Sequence, residues 1–359
     1  MKPHGLFLWM AWSGLALAEP AKEVASNAGA NLQRPVWSDD GTKLAYEANF
    51  HEAKNVELYT GDPITRRFTK VTLPGRSSSI ASGFAKSGGS AVHEIAWSPA
   101  SMGRFVFAAS NADNDYELYL GGGSALAPAP STDGLPAWSP DGQKIAFSSA
   151  RTGQGDLYLL DVSHIDTAPK RLTSAADSSE LFASWSPDSQ KLAYVGRSKT
   201  GDNIWLFPSL TASPVQLTNW GRSQLRPTFS PSGAKIAFYA DREDAARWDL
   251  YMMDASAGAT PVVLARDVVP NAIGPVWTAD SKHIIAVLDD DDRYDPLVAI
   301  PVAEPVKTRT LDFGTVGHGD LDLVQAKDGK RWLAYVAQGK KGDTKRTFDR
   351  LYLAELPTL

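Results

Sequence analysis

An all-β fold assembled from like-built four-stranded antiparallel sheets is what this sequence predicts, and three observations predict it. The stretch Pro136 to Phe147, PAWSPDGQKIAF, recurs along the chain with variations. Its copies stand at nearly regular intervals. The 359 residues include 11 tryptophans, 29 glycines and 23 prolines, the usage of a chain made from short strands and turns. Convincing helical periodicity is absent beyond the first 18 residues.

Each element of the repeating unit has its own reason. Ala137-Trp138 opens it as a strand. Ser139-Pro140-Asp141-Gly142 suits a type I turn, because proline presets the backbone at the second position, aspartate tolerates the third and glycine the fourth. Ile145-Ala146-Phe147 returns as a second strand, rich in β-formers. Leu157-Tyr158-Leu159-Leu160 makes a third strand and Arg171-Leu172-Thr173 a fourth. The unit is thus a meander of roughly 45 residues, a length typical of repeat architectures.

Copies start at Arg34, near Ala96, at Pro136, at Ser184, near Phe229, at Pro275 and, most weakly, at Leu321. The tryptophan position, held by Phe229 in the fifth, is spaced by 60, 41, 47, 44 and 48 residues over the first six. In the strand after the turn, large residues such as Ile145 and Phe147 alternate with a small one, Ala146. A half-exposed strand would alternate apolar with polar instead, so both faces of each sheet are read as buried. An isolated four-stranded sheet leaves both faces wet and is marginal. Closing the sheets into a ring gives each one two neighbours. The expectation is a seven-bladed β-propeller of four-stranded antiparallel blades, with six blades the alternative.

The turn, the Lys-Ile-Ala-Phe strand at Lys144 to Phe147 and the Leu-Tyr strand at Leu157-Tyr158 resemble the TolB-like β-propeller repeat over about Arg34 to Leu353. The resemblance implies fold more than function. Families sharing the repeat include exported accessory proteins, the propellers of prolyl-oligopeptidase-type peptidases and tricorn protease, and oligogalacturonate lyase. The chain departs from TolB in lacking room for an α/β domain before the first repeat, so TolB's amino-terminal contacts do not carry over. The seventh copy lacks an outer strand after Leu356, and a stretch within residues 19–33 is expected to complete it. The domain reading is a signal peptide at 1–18, a closing arm at 19–33 and the propeller at 34–359.

Met1 to Ala18 has a positive start at Lys2, an apolar core from Leu6 to about Leu17 and small residues before Glu19, which reads as a secretory signal cut near Ala18. A periplasmic or secreted protein follows, not membrane-spanning after cleavage and expected to be a monomer. With no cysteine, both a lipidated terminus and a disulfide framework are excluded. A net charge of −5 and no long basic run argue against a nucleic-acid partner.

No Gly-x-Ser-x-Gly elbow of the peptidase relatives occurs; Gly75 to Ser79 fails at its last position. The histidines are scattered singly, although His93 and His318 both precede an innermost strand. Asp289 to Asp292 with Asp295 is the densest charge cluster; Asp289, Asp291 and Asp295 offer oxygen ligands for calcium but lack EF-hand spacing, and no cofactor is expected. The better candidates line one mouth of the channel. The residue three before the tryptophan position enters from the loop between blades: Arg34, Glu94, Leu135, Phe182, Arg226 and Gly274. Hairpins on the same side add Arg151, Arg197, Asp241 and Arg242, with His318, Asp320 and Asp322 joining from the seventh copy. Such a funnel suits a protein of the periplasm or envelope, or an acidic small ligand gripped by arginine. The functional expectation is a non-catalytic binding platform. The alternative is a carbohydrate-active lyase or hydrolase working in the channel.

Overall fold

Strand after strand pairs antiparallel with its sequence neighbour in the computed structural model, which describes residues 19–27, 29–50, 55–72, 95–99, 103–110, 116–121, 123, 125–241, 247–290, 294–340 and 349–359. The signal reading at 1–18, and Glu94, Arg242, Asp291 and His93, lie outside the described residues. The first copy forms Asn31–Trp37, Leu44–Phe50, Asn55–Asp62 and Arg67–Lys70, in that order across the sheet. The second gives Ile95–Trp97, Phe105–Ser110 and Tyr116–Leu120; the third Asp133–Trp138, Lys144–Ser149, Asp156–Asp161 and Lys170–Arg171; the fourth Ser178–Trp185, Leu192–Ser198, Gly201–Phe207 and Val215–Gln216. The fifth (Gln224–Phe229, Lys235–Asp241, Trp248–Asp254, Val262–Val269) and sixth (Val276–Trp277, His283–Leu288, Leu297–Pro301, Arg309–Thr310) are hydrogen-bonded into one eight-stranded sheet. Among the described residues, only two short 3-10 turns, Val162–His164 and Pro305–Lys307, interrupt the strands, and no helix is long and apolar enough to cross a membrane.

The repeated turn explains its own sequence. Gly142 N–H donates to Ser139 O at 2.8 Å, the bond of a four-residue turn, and Ser139 N–H reaches Lys144 O at 2.8 Å. Asp141 does more than tolerate its position: its Oδ1 accepts from Ser139 Oγ at 2.6 Å and from Gln143 N–H at 2.9 Å. The same carboxylate bridge recurs at Asp40, Asp188 and Asp280. Where serine replaces the turn glycine, at Ser189 and Ser281, the hydroxyl accepts from the preceding copy's turn, at Asp141 N–H and Ser232 N–H.

Packing between sheets uses the tryptophans. Trp97, Trp185 and Trp277 are each under 9 % exposed, and their indole N–H groups donate to the carbonyls of Val36, Ala137 and Thr228, each in an earlier copy. The indole therefore buries apolar area and spends its polar atom on the neighbouring sheet. Small residues between the large ones, Ala45, Ala146, Ala193 and Ala237, are wholly buried, which lets sheet faces approach.

The seventh copy is finished by the start of the chain. Thr315–Gln325, Arg331–Lys340 and Arg350–Glu355 form three of its strands, and Lys22–Ala25 pairs antiparallel as the fourth, with Lys22 opposite Leu353 and Ala25 opposite Leu351. Leu32 N–H to Asp349 O at 3.1 Å and Arg350 Nη1 to Glu23 Oε2 at 3.0 Å tie the two termini further.

Candidate functional site

The innermost strands share one irregularity. Between Gln33 (opposite Glu47) and Val36 (opposite Ala45), three steps face two, so one residue is extra. The same shift occurs at Leu135-Pro136, Phe182-Ala183, Arg226-Pro227 and Gly319-Asp320. These are β-bulges, and in four of them a residue takes a positive φ: 50° at Arg34, 54° at Leu135, 56° at Phe182 and 54° at Arg226. Pro35, Pro136 and Pro227 follow because a bulge does not need their missing N–H. The sixth copy enlarges the device: Val269 faces Val287 and Val276 faces Ile285, so seven steps oppose two and Pro270 to Pro275 loops out of the ladder.

Contacts string these positions together. The Arg226 guanidinium lies 4.2 Å from the Phe182 ring centroid. A Cβ on Gly274 (φ 102°) would meet Thr228 Oγ1 at 2.5 Å and Arg226 O at 3.2 Å, so the loop lies against the fifth copy's bulge. Asn271 is buried; its Nδ2 donates to Leu321 O at 2.8 Å and its Oδ1 accepts from Leu321 N–H at 3.2 Å, as a strand would. Asp320 Oδ1 accepts from Ala272 N–H at 2.9 Å and its Oδ2 from Arg34 N–H at 3.1 Å, so one carboxylate joins the loop, the seventh copy and the first.

Arg34, expected at an open rim, is sunk instead. Its side chain is 0 % exposed and Nη1 donates to Glu47 Oε2 at 2.8 Å, while Nε and Nη2 have no hydrogen-bond partner among the described residues. Asp322 Oδ2 accepts from Trp37 N–H at 2.7 Å; burial, helped by the charge of Asp39, pushes this carboxyl up to about 7 despite its two backbone donors. Burial likewise raises the Tyr239 hydroxyl, which has a backbone hydrogen bond with Asn271.

The remaining predicted residues differ in depth and in their partners. Arg151 is committed, with Nη2 to Asp133 Oδ2 at 2.7 Å, Nε to Ser149 Oγ at 2.9 Å and its guanidinium 4.9 Å from the Tyr158 ring. Arg197 is 46 % exposed and reaches Asp202 at 3.3 Å. Burial holds Asp241 above the usual carboxylate range, and its Oδ1 is buried without a partner among the described residues. His318 is buried, Nδ1 on Asp295 O at 2.7 Å and Nε2 on Thr315 Oγ1 at 2.9 Å, and burial lowers its pKa. Asp295 is raised by burial and then by Asp290 and Asp289, but the described residues hold no group of three metal-ligating side chains. His164 stands in a turn after a third strand, His283 at the start of a second and His318 on an inner one, so the described histidines do not gather.

Sequence reasoning missed the Pro270 to Pro275 loop and the role of Asn271. The signal was present: two prolines bracket Asn-Ala-Ile-Gly, a turn composition carrying one large apolar residue.

No family model matches the chain. It is 28% identical over 144 residues to the uncharacterized peptidase YuxL of Bacillus subtilis (strain 168), a match taking in 36% of this chain and 21% of that protein. A puromycin-hydrolyzing peptidase of Mycobacterium tuberculosis superposes with a TM-score of 0.64 at 13% identity, over 89% of this chain and 52% of that one. The chain thus spans about half the length of that peptidase. Oligogalacturonate lyase from Vibrio parahaemolyticus gives a TM-score of 0.59 at 11% identity, over 94% and 93% of the two chains. At such identities the likeness speaks of architecture, and with the antiparallel sheets above it shows a β-propeller fold.

Proposed function

We propose that this chain is an exported, seven-bladed β-propeller serving as a non-catalytic platform that binds a protein of the periplasm or envelope at the bulged end of its channel. Seven sequence copies support the blade count, the eight-stranded sheet being two blades bridged by Val268 and Val269. Export rests on the composition of residues 1–18.

The observation that carries the binding role is the row of bulges. One strained backbone device is repeated, yet the side chains it presents differ: leucine, phenylalanine, arginine and a glycine-containing loop. A purely architectural position would be expected to repeat its residue, as the turn and the tryptophan do. Arg226 stacked on Phe182 supplies the pairing of cation and ring found at protein-binding hot spots. Regarding the lyase-type alternative, the described histidines form no ligand set around a shared point.

The test uses Arg197 and Arg226, because Arg34 is buried on Glu47 and its reversal would damage the fold. Cross-linking in the native compartment identifies the bound protein, and the Arg197→Glu/Arg226→Glu double variant is then assayed for its capture. Affinity should fall by at least about tenfold, the loss expected from removing two rim charges and a stacked anchor, in a variant whose far-ultraviolet circular dichroism remains that of the folded protein. Undiminished capture would overturn the proposal.

A further inference from the structure

Two features near the bulges stand apart from the repeat. The first is the loop Pro270 to Pro275. Its Ile273 packs against the cluster of Val276 and Leu321 in the sixth and seventh copies, and also against that of Val36 and Trp97 in the first and second. A side chain that touches both clusters reaches across the inner edge of the seventh copy, which lies between them. The second is Arg34. Its Nε and Nη2, which form the side-on edge of the guanidinium, are buried without a partner among the described residues, although the opposite side of the group is fixed by Glu47. Buried donors normally find acceptors, and leaving them unmade is costly. The loop and the backbone of this arginine are adjacent, because Asp320 holds Ala272 N–H and the backbone N–H of Arg34 on its two oxygens.

We propose that the Pro270 to Pro275 loop is a displaceable plug and that the ligand it gives way to carries a carboxylate, bound side-on by Nε and Nη2 of Arg34. This deepens the reading of the mouth as a binding site and rests on it. The chemistry favours a carboxylate because two parallel N–H donors match its two oxygens, and Glu47 fixes the plane of the fork in advance. Glu47 also offsets the charge of Arg34. The plug is held by the bonds of Asn271 and Asp320, by the Tyr239 hydroxyl on Asn271 and by the seat of Gly274 on the fifth copy's bulge, and Ile273 is its one large apolar side chain. An extended segment ending in a free carboxyl takes the place of Ile273 and supplies the acceptor for Nε and Nη2.

The cysteine-free sequence provides the assay. Ile273→Cys places a single thiol on the plug, and its labelling by a thiol reagent is timed with acetyl-tetra-alanine bearing a free carboxyl terminus, or with the same peptide amidated. The acid should speed labelling by about tenfold and the amide should not, the difference expected of a charge-assisted bidentate contact. Adding Arg34→Lys, which keeps charge but loses the fork, should abolish the effect. Equal rates with and without the acid, or equal effects of acid and amide, would overturn the inference. The acid–amide contrast stands even if Arg34→Lys fails to fold. Partner capture that depends on Arg197 and Arg226, while thiol labelling of the Ile273→Cys variant stays constant, would refute the plug and leave the platform standing.

Discussion

At the residue scale, the same side-chain type does different work according to depth. Arg197 and Arg226 keep contact with the surface, whereas Arg34 is enclosed with Glu47, where removing one partner of a buried pair costs about 3–5 kcal/mol. His318 shows how depth sets protonation. Its Nδ1–H donates to a carbonyl and its Nε2 faces a hydroxyl, an arrangement for the neutral ring, and burial outweighs the nearby Asp312 carboxylate to lower its pKa below 6.5. A group depressed on folding contributes stability above its unfolded pKa and loses it as the pH falls through the folded one. Melting temperature should therefore drop between about pH 7.5 and 5, and a His318→Gln variant should lack that part of the decline. Parallel declines in the two proteins would show that another group is responsible.

At the element scale, the loop of the sixth copy and the bulges of its neighbours are variants of one device. Enlarging a one-residue bulge to a loop carries its backbone away from the sheet and onto the fifth and seventh copies. Gly274 is where this happens, at φ 102°, with the oxygen of Thr228 in the space a Cβ would take. Gly274→Ala should cost about 1–3 kcal/mol in denaturant unfolding, through backbone strain and contact with the neighbouring bulge. A change within a few tenths of wild type would mean that the loop does not press on the fifth copy.

At the scale of the whole molecule, ring closure depends on the two ends of the chain. Lys22–Ala25 adds the outer strand of the seventh copy and buries Val24 in the cluster of Leu351 and Leu353. Removing residues 19–26 should lower the melting temperature by several degrees, since about 1 kcal/mol corresponds to roughly 2 °C in a domain somewhat longer than 250 residues and the lost strand contributes several such increments. Melting unchanged by the deletion would make the strand dispensable.

What the sequence determined by itself was periodic. The turn chemistry, the alternation of large and small residues and the regular tryptophans are local patterns, and each strand needs only its own residues and its neighbours to form. It also placed Arg34, Leu135, Phe182, Arg226 and Gly274 at equivalent positions, because equivalence follows from counting along a repeat. Depth is not written in a count. Only the tertiary structure decided that Arg34 lies under the surface while Arg197 remains on it, and that Asp320 joins segments 286 and 48 residues away in the chain. Equally, only packing against other copies could turn Pro270 to Pro275 from a turn-rich insertion into the proposed plug, since what Ile273 touches is supplied by residues far from it in sequence.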